Sequence, residues 1–535
     1  MATAAPDDDR AFFGHPKGLA TLFLVELWER FSYYGMRAFL VVFIATPVAK
    51  GGLGETKATA GIIYALYGAL VYLMSLPGGW VADRLIGQQR AVLYGGYIIM
   101  AGHIVLAIPS HDTFYAGLGL IILGTGLLKP NASTLVGQLY SKDDIRRDGG
   151  YSIYYMGINI GAFVAPLACG FLAQSDAFRG VLVDVGIDPN AAWHFGFGAA
   201  AVGMALGIVT FTAMRPYLGA AGRDPIPAPP KGERSPLPPA VWVIVGAAAA
   251  VTLGFALWRL QWPSVLAFGA VDGVTVLMAV ADTKAVIADI FGIGLTAIAI
   301  AVFVIMYRVI STTRDEKNRV LAMAVLFFGC LSFFGIFEQA GSTLSFFAEE
   351  RTRKEIFGLG FPSSYWQFVN AGWVILLAPL FTWLWTFLAK RGKEPFSVNK
   401  FAIGMVVVSM AFLPLISASG KDLWPGYLFI YYFFASAAEM CISPVGLSVM
   451  NKLAPERLAS FVMGVWFLAI SIGLYIAGRA EVEVGKMSTA LEWGENGVFY
   501  LTMIFALAVA GLLALASGPV KRMLERDRPA AKTAA

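Results

Sequence analysis

Charge is scarce in this chain. Asp, Glu, Lys and Arg make up 14% of its 535 residues while 58% are hydrophobic, and an ordinary soluble domain carries roughly 25% charged residues. That excludes a soluble multidomain protein. Cysteine is scarcer still: Cys169, Cys330 and Cys441 lie far apart inside apolar runs, with no C-x-x-C or Cys/His spacing, which excludes a disulfide framework and a zinc site. The net charge of +5 comes without a basic, aromatic-interleaved patch, so nucleic acid is not an expected partner. Each Gly-Lys pair (392-393, 420-421, 485-486) is followed by Glu, Asp or Met, so there is no Walker A loop and the chain does not itself use ATP. An integral-membrane enzyme would need a metal cluster, a nucleophile elbow or a paired acid and base at the interface, and the sequence shows none. Near the N-terminus, Pro6-Asp7-Asp8-Asp9-Arg10 lacks the basic region and small-residue cleavage site of a secretory signal, so the first apolar helix is expected to be retained as an anchor.

What the chain has is apolar runs of bilayer-spanning length, about 20 residues each. They fall at 18–48, 58–86, 89–109, 113–140, 149–174, 192–214, 239–260, 286–308, 319–347, 364–389, 400–418, 425–450, 458–480 and 496–520. This predicts an all-α polytopic membrane protein with fourteen transmembrane helices. An even number places both termini on one side, and basic residues in the loops say which: with the termini cytoplasmic, 26 Lys and Arg lie on the inner side and 11 on the outer. Eight prolines between 216 and 239 favour extended, solvated chain. The expected organisation is a tail (1–17), a six-helix bundle (18–215), a Pro-rich cytoplasmic linker (216–238), an inserted helix pair (239–318), a second six-helix bundle (319–520) and a tail (521–535). Two six-helix repeats of this kind enclose a central site.

Seven ionisable residues fall within predicted spans: Glu26, Glu29, Arg30, Arg37, Lys129, Glu338 and Glu439. At bilayer depth each costs at least about 2.5 kcal/mol, so each needs a partner, water or a task. Any one alone could be a helix-bundling ion pair, but seven together call for more. On the first helix Glu26, Glu29, Arg30, Tyr33, Tyr34 and Arg37 share an arc of about 140° and rise about 16 Å along one face. Depth matches Arg37 with Glu338 in the outer half of the membrane, and Lys129 with Glu439 in the middle or inner half. Each pair joins one bundle to the other, so the two are candidate alternating gates, outer and inner. Three cations against four carboxylates leave one surplus negative charge, which in low dielectric must be met by a proton or by a substrate cation.

Glu26-x-x-Glu29-Arg30-Phe31-x-Tyr33-Tyr34-Gly35 resembles the ExxERFxYYG motif of the proton-dependent oligopeptide transporters, a branch of the major facilitator superfamily. Five further segments resemble the family's motifs in order: Gly78-Gly79-Trp80-Val81-Ala82-Asp83-Arg84, Gly126-Leu127-Leu128-Lys129-Pro130-Asn131, Tyr154-Tyr155-Met156-Gly157-Ile158-Asn159-Ile160-Gly161, Glu338-Gln339-x-Gly341-Ser342, and Glu439-Met440-Cys441-Ile442-Ser443-Pro444. The resemblance implies the major facilitator fold with an inserted helix pair, as in prokaryotic members. It implies import of di- and tripeptides, driven by the proton gradient with no cofactor, by a monomer in a bacterial inner (plasma) membrane. It assigns peptide contact to Tyr33, Tyr34, Arg37, Tyr72, Lys129, Asn159, Asn370, Glu439 and Trp466. Arg37 and Lys129 would favour the peptide carboxylate and Glu439 the ammonium. Proton coupling falls to Glu26, Glu29, Arg30, Lys129 and Glu338, with Glu338 also at the outer gate. A same-fold carrier of nitrate or another organic anion is the alternative.

The chain departs from the pattern in places. Phe334 stands where relatives can carry Trp, Asn370-Ala371 replaces the common Asn-Pro, and 58–86 has no histidine, so proton chemistry is left to carboxylates. Asn131-Ala132-Ser133 fits a glycosylation acceptor but lies at membrane depth. His103, with no carboxylate near it in sequence, reads as a hydrogen-bonded structural histidine. Tyr72 and Trp466 taken alone could equally be packing residues.

Overall fold

The computed structural model describes residues 9–141, 144, 146–225, 266–271, 274–279, 283–454, 459–494 and 496–526. The predicted span 239–260 and most of the Pro-rich linker lie outside the described residues. The helices are α1 (Lys17–Ala45), α2 (Lys57–Leu73), α3 (Ser75–Val81), α4 (Gln88–Leu106), α5 (His111–Gln138), α6 (Arg147–Gln174), α7 (Asp176–Asp184), α8 (Ala192–Met214), α9 (Thr283–Ile305), α10 (Arg314–Phe337), α11 (Thr343–Glu350), α12 (Trp366–Lys390), α13 (Ser397–Ser417), α14 (Gly426–Leu453), α15 (Ala459–Ala490) and α16 (Gly497–Arg526). Among the described residues, eleven segments are long and apolar enough to cross a membrane. With the charge-bearing α1 and the polar-ended α4, they occupy thirteen of the fourteen expected positions.

Local chemistry sets the ends. Pro16 precedes α1, Thr56 Oγ1 accepts from the Thr59 amide at the start of α2, and Thr313 caps α10 by accepting from the Glu316 amide. The two threonines each supply an acceptor that the first turn of a helix lacks, whereas Pro16 makes no side-chain cap. Before α4 the chain reverses at Gly87, φ 81°, beside the Arg223 carbonyl; the left-handed conformation and the close approach both exclude a side chain there. The span predicted at 319–347 is broken: α10 stops at Phe337, a 3₁₀ turn covers Glu338–Gly341, and α11 follows.

Two features add to the all-helical expectation. Short antiparallel hairpins pair Leu266–Val271 with Val274–Ala279, and Glu355–Ile356 with Leu359–Gly360. The second turns on Phe357 and Gly358, at φ 53° and 77°, the paired left-handed conformation that two-residue hairpin loops require. The amphipathic α7, also unforeseen, opens on Ser175, whose Oγ accepts from the Phe178 amide. His103 is fully buried in α4, yet neither ring nitrogen has a hydrogen-bond partner among the described residues. The hydrogen bond expected of it is not made among the described residues.

Small residues let the helices approach. With no hydrophobic drive between helices in lipid, close backbone contact at Gly and Ala is a main source of association. On α6, a Cβ on Gly157 would lie 2.9 Å from the Phe23 carbonyl oxygen, and one on Gly161 would lie 3.0 Å from Arg30 Cβ. These glycines press α6 onto the charged face of α1. The first bundle is built from α1 to α8 and the second from α10 to α16; they meet chiefly along α2 with α15 and α6 with α12. At the α2–α15 crossing, a Cβ on Gly478 would fall 2.6 Å from both the Ala65 nitrogen and the Gly61 oxygen. The helix α9 docks on α15, where Arg479 reaches Asp289 at 2.9 Å and the Tyr475 hydroxyl donates to the Ala288 carbonyl at 2.9 Å.

Gly161→Leu should overpack the α1–α6 contact and cost about 1–3 kcal/mol. Gly511→Ala, where a Cβ meets open space, should stabilise by about 0.5–1 kcal/mol through helix propensity. Unfolding of the purified protein in detergent separates them; equal midpoints for the two variants would refute the close-approach argument.

Candidate functional site

The polar face of α1 is the centre of the site. Glu26, Glu29, Arg30 and Arg37 are all buried. Arg30 lies 3.3 Å from Glu26 and grips Glu29 with two nitrogens, Nη2 donating to Oε1 at 2.7 Å and Nε to Oε2. Its guanidinium also sits over the Tyr33 ring, 4.8 Å from the centroid. The second oxygen of Glu26 accepts from the Tyr154 hydroxyl at 2.5 Å, a contact that the glycine-mediated approach of α6 makes possible. Two carboxylates thus share one guanidinium, and a proton can be accommodated in this cluster without leaving a cation unmatched.

Two turns further along, Arg37 pairs with Glu338. Its Nε donates to the Tyr64 hydroxyl at 2.8 Å, and that hydroxyl donates to the Glu338 backbone carbonyl at 3.3 Å. One tyrosine from α2 therefore clamps both members of the pair. The break after Phe337 places Glu338 at the tip of α10, facing α1. This ion pair joins the bundles, as matched depth predicted.

Other links between the bundles gather at the same end. Lys57 pairs with Glu350 at 2.5 Å. Gln174 donates to Ser363 Oγ and accepts from the Ser364 amide, both at 3.0 Å. Ser471 Oγ donates to the Ala69 carbonyl at 2.8 Å, nearer the middle of the bundle. Among the described residues, no side-chain hydrogen bond or ion pair ties the bundles together at the opposite end, where α1 begins. The structure is closed at one end.

Lys129 and Glu439 are not joined in this conformation, and among the described residues neither makes an ion pair. Lys129 Nζ lies 3.8 Å above the Tyr72 ring. Glu439 Oε2 is buried without a hydrogen-bond partner. The two residues, with Tyr34, Tyr72 and Asn370, are half-buried, whereas the Arg30 cluster and the Arg37–Glu338 pair are sealed. Tyr33 is buried and stacks on Tyr67 with centroids 6.4 Å apart. Asn159 donates to the Tyr155 carbonyl at 2.9 Å, and Asn370 Nδ2 to Ser436 Oγ at 2.8 Å. Trp466 is 1% exposed and lies against Gly446 inside the second bundle.

Sequence reasoning left out Tyr64 and Tyr154. Tyr154 stands inside a quoted motif and could have been flagged as the polar tip of a helix facing buried carboxylates. Tyr64 had no such signal, because its partners are 27 and 274 residues away.

Two six-helix bundles, an inserted helix, buried charges at their interface and closure at one end define a polytopic transporter of the major facilitator type. A family model described as the POT family matches residues 89–489. The chain is 38% identical over 522 residues to an uncharacterized transporter, YclF, of Bacillus subtilis, covering 96% of both chains. It is 34% identical over 533 residues to a di-/tripeptide transporter of Lactococcus lactis, covering 96% of this chain and 98% of that one. A crystal structure of a peptide transporter POT in complex with sulfate superposes with a TM-score of 0.78 at 37% identity, covering 96% and 97%. This chain belongs to the POT family.

Removing one member of a buried ion pair costs about 3–5 kcal/mol, while removing both leaves no stranded charge. Arg37→Met and Glu338→Gln should each destabilise by that order, and the double variant by clearly less than their sum. Unfolding of the four proteins in detergent forms the cycle; additive losses would show that the pair does not act as a unit.

Proposed function

We propose that the protein is a proton-coupled symporter that imports di- and tripeptides by alternating access. The observation that carries this reading is the arrangement of unmatched charge. Arg30 and Arg37 are matched by carboxylates, while Lys129 and Glu439 stand on opposite bundles, half-buried and unpaired. A peptide offers a carboxylate and an ammonium on one small molecule, and this site offers one group for each. The tyrosines 33, 34 and 72 and the amides of Asn159 and Asn370 border the same region and can orient the backbone between the charged ends. A carrier for nitrate or another anion would leave Glu439 facing its substrate with the wrong sign.

In this reading the basic loops hold both termini in the cytoplasm of a bacterium, the protein sits as a monomer in the inner membrane, and the closed end is the outer one. Arg37, Tyr64 and Glu338 form the outer gate. A proton on Glu338 removes the charge that holds Arg37 and releases that gate. The Glu26–Glu29–Arg30 cluster, close behind the peptide residues, takes up the proton that accompanies the peptide. Lys129 and Glu439 form the inner gate, closing on each other when the site is empty. No cofactor is required, since the proton gradient supplies the driving force.

Purified protein in liposomes should accumulate labelled dialanine under an inward proton gradient, and a protonophore should abolish accumulation. Uptake that ignores the protonophore would refute proton coupling; failure of unlabelled di- and tripeptides to compete would refute the substrate class. Glu29→Gln should lose concentrative uptake yet retain peptide exchange, and retained accumulation would remove Glu29 from the proton path.

A further inference from the structure

The Arg37–Glu338 pair joins the bundles where α1 meets the tip of α10. A second contact joins them where α6 meets α12, and it is built differently. Gly170 on α6 leaves room for the second bundle: a Cβ there would fall 2.2 Å from Ser364 Oγ. The 3₁₀ turn Ser363–Tyr365, which leads into α12, therefore lies directly against α6. Deeper in, a Cβ on Gly372 of α12 would lie 3.3 Å from the Phe163 ring of α6. Phe163 packs edge-on to Phe368 of α12 with ring centroids 5.2 Å apart. Phe163 and Gln174 are about 16 Å apart along α6, so these contacts occupy the half of the helix nearest the closed end.

Gln174, the last residue of α6, fastens the tip. Its carboxamide uses both ends: Nε2 donates to Ser363 Oγ and Oε1 accepts from the Ser364 amide, each at 3.0 Å. Ser363 Oγ in turn donates to Glu349 Oε2 at 2.6 Å, and Glu349 pairs with Lys354. Both of those charged residues belong to the second bundle. Among the described residues, the hydrogen bonds that cross this seam thus join only uncharged groups. Two neutral hydrogen bonds together shift a balance between conformations by about tenfold. A carboxamide, a hydroxyl and a backbone amide keep their protons where carboxylates titrate. A proton on Glu338 therefore weakens the hold on Arg37 and leaves the bonds of Gln174 as they are.

We infer that the α6–α12 seam is a second outer gate, with Gln174 as its latch, and that it holds whatever the protonation state of Glu338. The inference rests on the alternating-access reading above. A proton at Glu338 releases one of two gates, and the outer side parts only when the α6–α12 seam is released as well. The arrangement keeps an arriving proton from opening the outer side by itself. Gln174 is a positioning residue: it acts by holding α6 to the start of α12.

Full-length protein in lipid nanodiscs is spin-labelled at Val183→Cys on α7 and Leu359→Cys on the second hairpin, exposed positions on the two bundles. Cys169, Cys330 and Cys441 are buried and do not take the label. Double electron–electron resonance reads the separation without peptide or a proton gradient, so its outcome is distinct from any failure of the uptake assay. Glu338→Gln, which mimics the protonated carboxyl, should leave the separation short. Adding Gln174→Ala should raise the ratio of open to closed molecules by about tenfold. Gln174→Glu, in the same Glu338→Gln background, gives a signature that a packing defect would not. Ionised, the introduced carboxylate cannot donate to Ser363 and stands near Glu349, so the seam should open at neutral pH. Protonated, it regains a donor and an acceptor, so the seam should close in acid. Gln174→Asn, whose amide is one methylene short, serves if the alanine variant does not elute as a monodisperse protein. A fully open seam in Glu338→Gln alone would overturn the second gate. So would separations that neither Gln174→Ala nor Gln174→Glu changes.

Discussion

The structure depends on the burial of charge on one face of α1. Two arginines and two carboxylates within about 16 Å of helix are removed from water, and each such ion costs several kcal/mol unless partners surround it. The rest of the first bundle reads as the means of supplying them. Gly157 and Gly161 thin α6 so that Tyr154 reaches Glu26; Tyr64 on α2 reaches Arg37. The second bundle enters through a single carboxylate, Glu338, held at the broken end of α10. Because that carboxylate belongs to the other half of the molecule, satisfying Arg37 and closing the bundles at one end are the same event.

Much of this was legible in the sequence, for a physical reason. Lipid cannot hydrogen-bond a backbone, so apolar runs of sufficient length must be helices, and thirteen of them fall within a few residues of their expected positions. Charges confined to such runs are few enough to sort by depth, and depth alone matched Arg37 with Glu338. It also matched Lys129 with Glu439, but depth says which residues can meet and not which conformation brings them together. Tyr64 escaped notice because a hydroxyl among many aromatics has no periodic signature. Trp466 was placed by its motif alone; that its ring lies against Gly446, where no side chain stands in the way, has no signature in the sequence. α7 was missed because nine residues of mixed polarity give neither a spanning run nor a clear loop.

The two inter-bundle pairs differ in their surroundings, and that difference bears on coupling. Arg37 and Glu338 are sealed, so their attraction is little screened and parting them strands charge. Lys129 and Glu439 are only partly buried and are not joined in this conformation, so attraction between them is more screened than that of the sealed pair. No direct contact therefore holds these two residues together in this conformation. Closing the open end changes the balance, because both would then be removed from water and each would need a counter-charge. An empty site can supply it only by bringing Lys129 to Glu439. A bound zwitterion supplies it to both at once, with the residues still apart. A ligand with one charge neutralises one and strands the other. The same rule governs a proton at Glu338 or in the Arg30 cluster: a charge removed on one side of a buried pair must be answered before the bundles can close over it. In the proposed reading, selection for a molecule with two opposite ends and the requirement for a proton both follow from one constraint, that neither conformation can close over an uncompensated charge.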